Sequence, residues 1–445
     1  LVPLGSVACA AGPPRAADPA SLTKRGKLVQ TQQSGFPVNL VRDAFRQALA
    51  GLARRRVSDA KAHPGMLPRP AWGIIRAAPR TAALHLRKPG VRYLNQLEPD
   101  GLVAAFAAHP PLGFRLLEAQ GTPAFVAPFD LLTTTDDALR KRVVKAPGYR
   151  WWGRLLRWRT AFVGTTVSEY ALFPREADPA VLPGALRQHL GSGQRLLVLK
   201  DIPQDSPLCD AASRDWCARF AEACRAEGYL LLEGQALAYV AIDFADEDAY
   251  LARLSSSRRK DIRRKLRKRD EVAVETVACG DARFADEATL DAFYALYENV
   301  YAQSEIHFDK LSRAFFATVL RDAGNGGFAF VYRHQGEMIG WNLCFVADGK
   351  LIDKYVGFAY PQAREQNLYF TSWFHNLAWA RERGLTHYVA GWTDPQVKSY
   401  LGASFTLTRH AVWLRNPLLR AAARRLGHLF ESDSQWAPTP SDAQT

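Results

Sequence analysis

Between residues 328 and 358 three apolar-rich runs follow one another with a two-residue turn between each, and this stretch constrains the fold more than any other. The turns are Gln335-Gly336 and Asp348-Gly349. So short a connection needs φ > 0 at its central residues, which Asp-Gly tolerates, so residues 328–333, 338–347 and 350–358 are expected as an antiparallel meander. A helical pattern, 367–383, follows and is stopped by Gly384, and an apolar run at 387–391 is a further strand. Trp392-Thr393-Asp394-Pro395 then opens a short helix.

Upstream the signals are shorter. Residues 124–132, 195–202, 229–232 and 238–244 are strand candidates, and 212–227 is a helix ended by Gly228. Helices are also expected at 246–254, 290–301 and 310–322, and a basic amphipathic one at 40–56. Residues 1–35 are rich in Ala, Pro, Gly and Ser and are expected as a flexible arm, and 36–119 as a basic, Pro-containing extension. The opening residues lack the basic lead and apolar stretch of a secretory signal, and no apolar run reaches the roughly 20 residues of a membrane span. With 48% apolar residues, the expectation is a cytoplasmic, core-forming protein, membrane-peripheral at most. The six cysteines form no C-x-x-C pair and no zinc-ligand spacing, so buried reduced thiols and no metal are expected.

The formal charge of +14 is unevenly placed. Residues 1–160 hold 25 Lys and Arg against 9 Asp and Glu, and nine of the twelve residues from 258 to 269 are basic. Such concentration suits a polyanionic partner: a nucleic acid, an anionic membrane face or a phosphate-bearing ligand. Leu254, Ile262 and Leu266 keep one apolar helical face, so Arg258, Arg259, Arg263 and Arg264 are candidate phosphate ligands. The stretch 149–159 is aromatic and basic together, which fits base stacking, a membrane interface or ordinary packing with solvated arginines. Glu305, His307 and Asp309 group acidic and imidazole side chains in one loop and are candidate acceptor-binding residues with Lys354. Asp353 and Lys354 alternate along a strand, so one of them is expected to face a cleft.

Three strands ending in Val356-Gly357-Phe358, then Pro361, Arg364, a helix, Gly384, a strand, and Tyr400 before Gly402 follow the order of elements in a GNAT acyltransferase, which residues 253–415 resemble. The basic helix and the ending Asp394-Pro-Gln-Val-Lys398-Ser-Tyr400-Leu-Gly402 are similar to the FemAB-like branch, whose members resemble two GNAT units in tandem. The resemblance implies an α/β fold of two GNAT-like units with mixed, mostly antiparallel sheets, at 120–250 and 251–415, and a helical then disordered tail at 416–445. It implies that acyl-CoA lies where the fourth and fifth strands splay, near Val356, Phe358, Arg364, Gln366 and Asn367, its pyrophosphate on a helix N-terminus. The matching stretch 364–370 holds no glycine. It further implies that Lys398 stabilises an oxyanion and that Tyr400 is a general acid.

The expected activity is N-acyl transfer from acyl-CoA to an amine by direct attack, with no permanently bound cofactor. The alternatives are Fem-type aminoacyl transfer from charged tRNA to a peptide or cell-envelope acceptor, or a non-catalytic binding module on the same scaffold. No readout of DNA sequence is expected.

Overall fold

The computed structural model describes residues 93–134, 137–303 and 308–426. The arm 1–35, the helix expected at 40–56, and residues 305 and 307 lie outside them.

In chain order the first elements are β1 (Tyr93–Leu94), α1 (Asp100–Ala108), β2 (Arg115–Ala119), β3 (Thr122–Asp130), α2 (Asp137–Val144), α3 (Tyr149–Trp152), β4 (Arg157–Val163) and β5 (Phe173–Pro174). Then come α4 (Leu182–Gly191), β6 (Leu196–Pro203), α5 (Ala211–Ala226), β7 (Leu230–Ala241), α6 (Glu247–Ala252), α7 (Ser256–Leu266) and β8 (Val272–Ala278). The remainder is α8 (Glu287–Gln303), α9 (Arg313–Arg321), β9 (Phe328–His334), β10 (Glu337–Ala347), β11 (Lys350–Phe358), α10 (Gln362–Glu365), α11 (Leu368–Glu382), β12 (His387–Gly391), α12 (Pro395–Leu401), β13 (Ser404–Leu414) and α13 (Pro417–Leu426).

The expected meander is present as β9-β10-β11, and both turns have the backbone their sequences foretell. Gln335 and Gly336 have φ of 52° and 86°, and Asp348 and Gly349 have 48° and 70°. Asp210 caps α5 by accepting from the Ser213 amide at 2.7 Å, and Gly228 follows the helix at φ 83°. Residues 229–232 and 238–244, taken from sequence as two strands, belong to one strand, β7, because Gly234 packs against Thr408 and lets the strand run through.

Among the described residues eleven strands form one sheet in the order β2-β3-β4-β6-β13-β7-β12-β11-β10-β9-β8. The two flanks repeat one plan. On one side an antiparallel β2-β3-β4 ends in a parallel pair with β6, reached through α4; on the other, antiparallel β8-β9-β10-β11 ends in a parallel pair with β12, reached through α11. This is the mixed α/β, GNAT-like architecture. The halves exchange strands at the centre: β7 pairs with β12 of the later half, and β13 pairs with β6 of the earlier one. β7 and β13 also pair with each other over most of their lengths. The two repeats therefore share a single continuous sheet. Helices cover both faces, which is why β6 is buried at all eight positions and β10 reads as an almost unbroken apolar run.

A candidate active site at the splayed strands

β11 and β12 pair only over Lys350↔His387, Leu351↔Tyr388 and Ile352↔Val389, although β11 continues to Phe358. Beyond Ile352 the strands diverge, and a cavity of about 120 Å³ opens between them. The register also slips on the other side of β11, where Leu343 faces Tyr355 but Cys344 faces Asp353. Lys354 is the extra residue of this bulge. A bulge re-aims side chains, and here it brings both Asp353 and Lys354 to the cavity wall, where simple alternation allowed only one.

Lys398 reaches the cavity from α12. Asp394, at φ 52°, starts that helix, and the Lys398 ammonium donates to Ala390 O at 2.6 Å and Gly391 O at 3.0 Å, the end of β12. An ammonium has three N–H bonds, so one is left for the cavity. The side chain is buried, and that burial pulls its pKa down to about 8 against the opposing pull of Asp394, Asp353 and Glu169. Asp353 Oδ2 accepts from Asn342 Nδ2 at 3.0 Å, Asn376 Nδ2 at 3.1 Å and the Tyr388 hydroxyl at 2.9 Å. Burial raises its pKa to about 6, with those donors acting the other way. Thus an acid and a base poised on either side of neutrality line one cavity.

The opposite wall is ionic. Lys354 Nζ donates to Glu169 Oε1 at 2.5 Å and Glu98 Oε1 at 3.2 Å, and Glu98 Oε1 also accepts the Glu169 amide at 2.6 Å. Burial opposes the Lys354 charge, but the two glutamates outweigh it and raise its pKa; burial raises that of Glu98. At the matching splay of the earlier half, Lys200 Nζ donates to Thr165 O at 2.7 Å and to the Asp201 carboxylate. Burial works against the Asp201 charge, yet Lys200 holds its carboxyl below the usual range. The Asp201 amide donates to His410 Nδ1 at 3.1 Å, and burial lowers the His410 imidazole to about 3. Asp309, buried, is raised by that burial to about 7.

Of the residues named from sequence, Lys398, Lys354, Asp309, Val356 and Phe358 meet at this cavity. Tyr400 lies elsewhere: its hydroxyl donates to Asp261 of α7 at 2.7 Å. Arg364 donates to Gln303 at 2.6 Å and sits 4.7 Å over the Tyr360 ring. Gln366 is buried beside His334, 3.3 Å away, and Asn367, at φ 49°, faces the α7 carbonyl of Lys265. Gly357 is glycine for packing, since a Cβ there would come within 2.3 Å of the Trp341 indole. The basic helix α7 spends much of its charge on the protein itself. Arg258 binds the carbonyls of Ser399 and Tyr400, closing the end of α12, and Arg259 binds Leu254 O at 2.8 Å. Arg263 pairs with Asp248 at 2.7 Å and Arg264 with Asp261 at 2.5 Å.

Sequence reasoning missed Glu98, Glu169, Lys200 and Asp201. Lys200-Asp201 did leave a trace, two charges inside the buried run Leu-Leu-Val-Leu-Lys-Asp-Ile-Pro, and so did Asn342 within β10. Glu98 and Glu169 left none.

A parallel pair that parts around a cavity holding a lysine and a carboxylate, on a mixed sheet of this strand order, is the arrangement of a GNAT-like fold. Residues 213–432 match the family model FemAB-like, described as peptidoglycan biosynthesis and recognition. Through that segment, just under half of its length, the chain is similar to the FemAB-like family.

Solved structures to which the chain is similar include the C-terminal domain of a lysylphosphatidylglycerol synthetase from Agrobacterium fabrum (13% identity, TM-score 0.44, covering 73% of this chain and 90% of that one). They also include L-PGS from Bacillus licheniformis (11%, 0.43, 76% and 98%) and FemX (11%, 0.44, 75% and 96%). At these values the likenesses carry no functional weight. No curated protein sequence matches the chain significantly.

Proposed function

We propose that the protein transfers an aminoacyl group from aminoacyl-tRNA to an amine of a peptidoglycan precursor. The observation that carries this reading is the pairing of Lys398 and Asp353 in one cavity. In the reaction the amine nitrogen attacks the ester carbonyl carbon, and the carbonyl π electrons move to oxygen, toward the free N–H of Lys398. Asp353 takes the proton that the amine loses. The tetrahedral intermediate collapses, the bond from carbon to the ribose oxygen breaks, and Lys398 protonates that oxygen. The proton then returns from Asp353 to Lys398 through solvent.

An ester donor makes use of a buried acid in a way a thioester does not, because a departing alkoxide is a far stronger base than a thiolate. The start of α11 supports the same choice. Gln366 and Leu368 are buried there, and Lys268 of the loop after α7 donates to Glu365 O at 2.9 Å. The turn lacks the open glycine backbone that lets a pyrophosphate approach closely. The family's description, peptidoglycan biosynthesis and recognition, supports the acceptor class.

The test supplies the purified protein with labelled aminoacyl-tRNA or labelled acyl-CoA and an amine-bearing cell-wall peptide. Label should pass from the tRNA to the peptide amine and not in the Lys398→Met variant. Transfer from acyl-CoA but not from aminoacyl-tRNA would overturn the reading.

A further inference from the structure

Among the described residues the cavity is lined by four carboxyl groups, Glu169, Asp201, Asp309 and Asp353, against three ammonium groups, Lys200, Lys354 and Lys398. Glu98 adds a fifth carboxyl behind the wall through its contact with Lys354. After Glu169 Oε1 and Glu98 Oε1 have shared Lys354, the second oxygen of each carboxylate is buried with no donor among the described residues. Asn342, which spends its amide N–H on Asp353, likewise has its carbonyl oxygen unmet, and so has the Tyr355 hydroxyl. Glu169, Asn342 and Tyr355 all line the cavity and are 2%, 1% and 3% exposed. Each of these atoms can accept a hydrogen bond, and two of the three can only accept. Buried acceptors left unmet are costly, and carboxylate oxygens among them favour a positively charged donor.

We infer that the wall around Glu169 holds a primary ammonium group of a substrate. The inference rests on the aminoacyl-transfer reading, which offers two sources: the free α-ammonium of the aminoacyl donor, and the acceptor amine before it loses its proton. An ammonium matches the site because it is compact and brings three N–H donors and one positive charge. A guanidinium, planar and wider, would need two acceptors in one plane.

Aminoacyl-tRNA with a free amino group is compared with its N-acetylated form, in the wild type, in Glu169→Gln and in Tyr355→Phe. Tyr355→Phe removes only a hydroxyl without a hydrogen-bond partner among the described residues, so it keeps the test alive if Glu169→Gln disturbs folding. If the site takes the donor ammonium, acetylation lowers wild-type kcat/KM on the order of 30-fold, as for loss of a charge-assisted hydrogen bond. Both variants then shrink that ratio. If it takes the acceptor amine, the variants raise the acceptor KM and leave the acetylation ratio alone. Folded variants that change neither KM overturn the inference. Calorimetry with an amino acid amide and its N-acetyl form needs no turnover: selective binding of the free amine by the wild type, lost in the variants, keeps the subsite even if transfer from tRNA fails.

A different observation carries a second inference. Residues 141–159 contain seven Lys or Arg and no Asp or Glu, and within them Trp151 is 79% exposed and Leu155 57% exposed. Arg157 pairs with Asp130 at the end of β3, next to Phe129, whose ring meets Phe308 at 5.9 Å. Phe308 precedes the cavity residue Asp309, so a run of contacts leads from the patch toward the site. No helix among the described residues is long and apolar enough to cross a membrane. We propose that the patch docks on an anionic lipid bilayer. Exposed aliphatic and indole groups between basic residues gain from the headgroup boundary, whereas leucine gains nothing from a phosphodiester backbone. Co-sedimentation with vesicles of phosphatidylcholine alone, or mixed equally with phosphatidylglycerol, tests it. The protein should bind the mixed vesicles only, and Trp151→Ser with Leu155→Ser should reduce that binding several-fold while turnover on soluble substrates stays unchanged. Equal binding to both vesicles, undiminished binding by the double variant, or loss of tRNA affinity in its place would overturn the proposal.

Discussion

Lys398→Met separates a catalytic lysine from a structural one, because the two roles move stability in opposite directions. The fall of the Lys398 pKa from 10.5 to about 8 corresponds to about 3 kcal/mol against the charged form in the folded protein. Since the folded value lies below the unfolded one, the penalty is absent above pH 10.5 and nearly complete below pH 8. Methionine fills a similar volume without a charge, so it removes the penalty and forfeits the bonds to Ala390 O and Gly391 O, about 1 kcal/mol each. The two effects nearly offset, and at pH 7 the variant should be as stable as the wild type, or about 1 kcal/mol more stable. Denaturant unfolding at pH 7 and pH 10 checks this: the wild type should gain stability relative to the variant as pH rises through 8. Turnover should fall by roughly 10²- to 10³-fold, the usual loss for one preorganised oxyanion donor. A variant that loses several kcal/mol at pH 7, or that keeps full turnover, refutes the role assigned to Lys398.

The pH profile of kcat/KM should be bell-shaped, with activity lost below about 6, where Asp353 is protonated, and above about 8, where Lys398 is neutral; in Asp353→Asn the acid limb should vanish along with most of the rate. Asp309, raised to about 7 by burial, should cost folding up to about 4 kcal/mol at pH 8. Asp309→Asn should therefore be the more stable protein at pH 8, with an advantage that fades as pH falls toward 4, as measured by chemical denaturation. Tyr400→Phe removes the bond to Asp261 and should cost about 1 kcal/mol in thermal unfolding with little change in turnover, since that hydroxyl lies outside the cavity.

The later half of the fold was legible because its signals are local. Asp348-Gly349 fixes a hairpin by backbone sterics alone, and α11 and β12 are bounded by Gly384. The fragmented reading of β7 shows the limit: its interruptions are polar residues that the neighbouring β13 covers, and no window along one strand reports what pairs beside it. The site divides the same way. Lys398 is marked by the turn that precedes it, but the Glu98–Glu169–Lys354 group joins positions separated by up to 256 residues, and only tertiary packing brings them together. The bulge at Lys354 is equally invisible, since an extra residue in a strand changes no residue type.

The crossed placement of β7 and β13 has a consequence for the order in which the chain is assembled during synthesis. Strand β6 is made early, yet its permanent neighbour, β13, ends at Leu414. Until that residue has left the ribosome, β6 and β7 each present an open edge to their surroundings, and such edges invite pairing with other chains. The middle of the sheet is thus the last part to close, and the earlier half cannot reach its final form alone. Chains truncated before 404 should leave a nascent protein with two unsealed edges at its centre, a natural target for chaperones, while emergence of the strand through Leu414 closes the seam in one step.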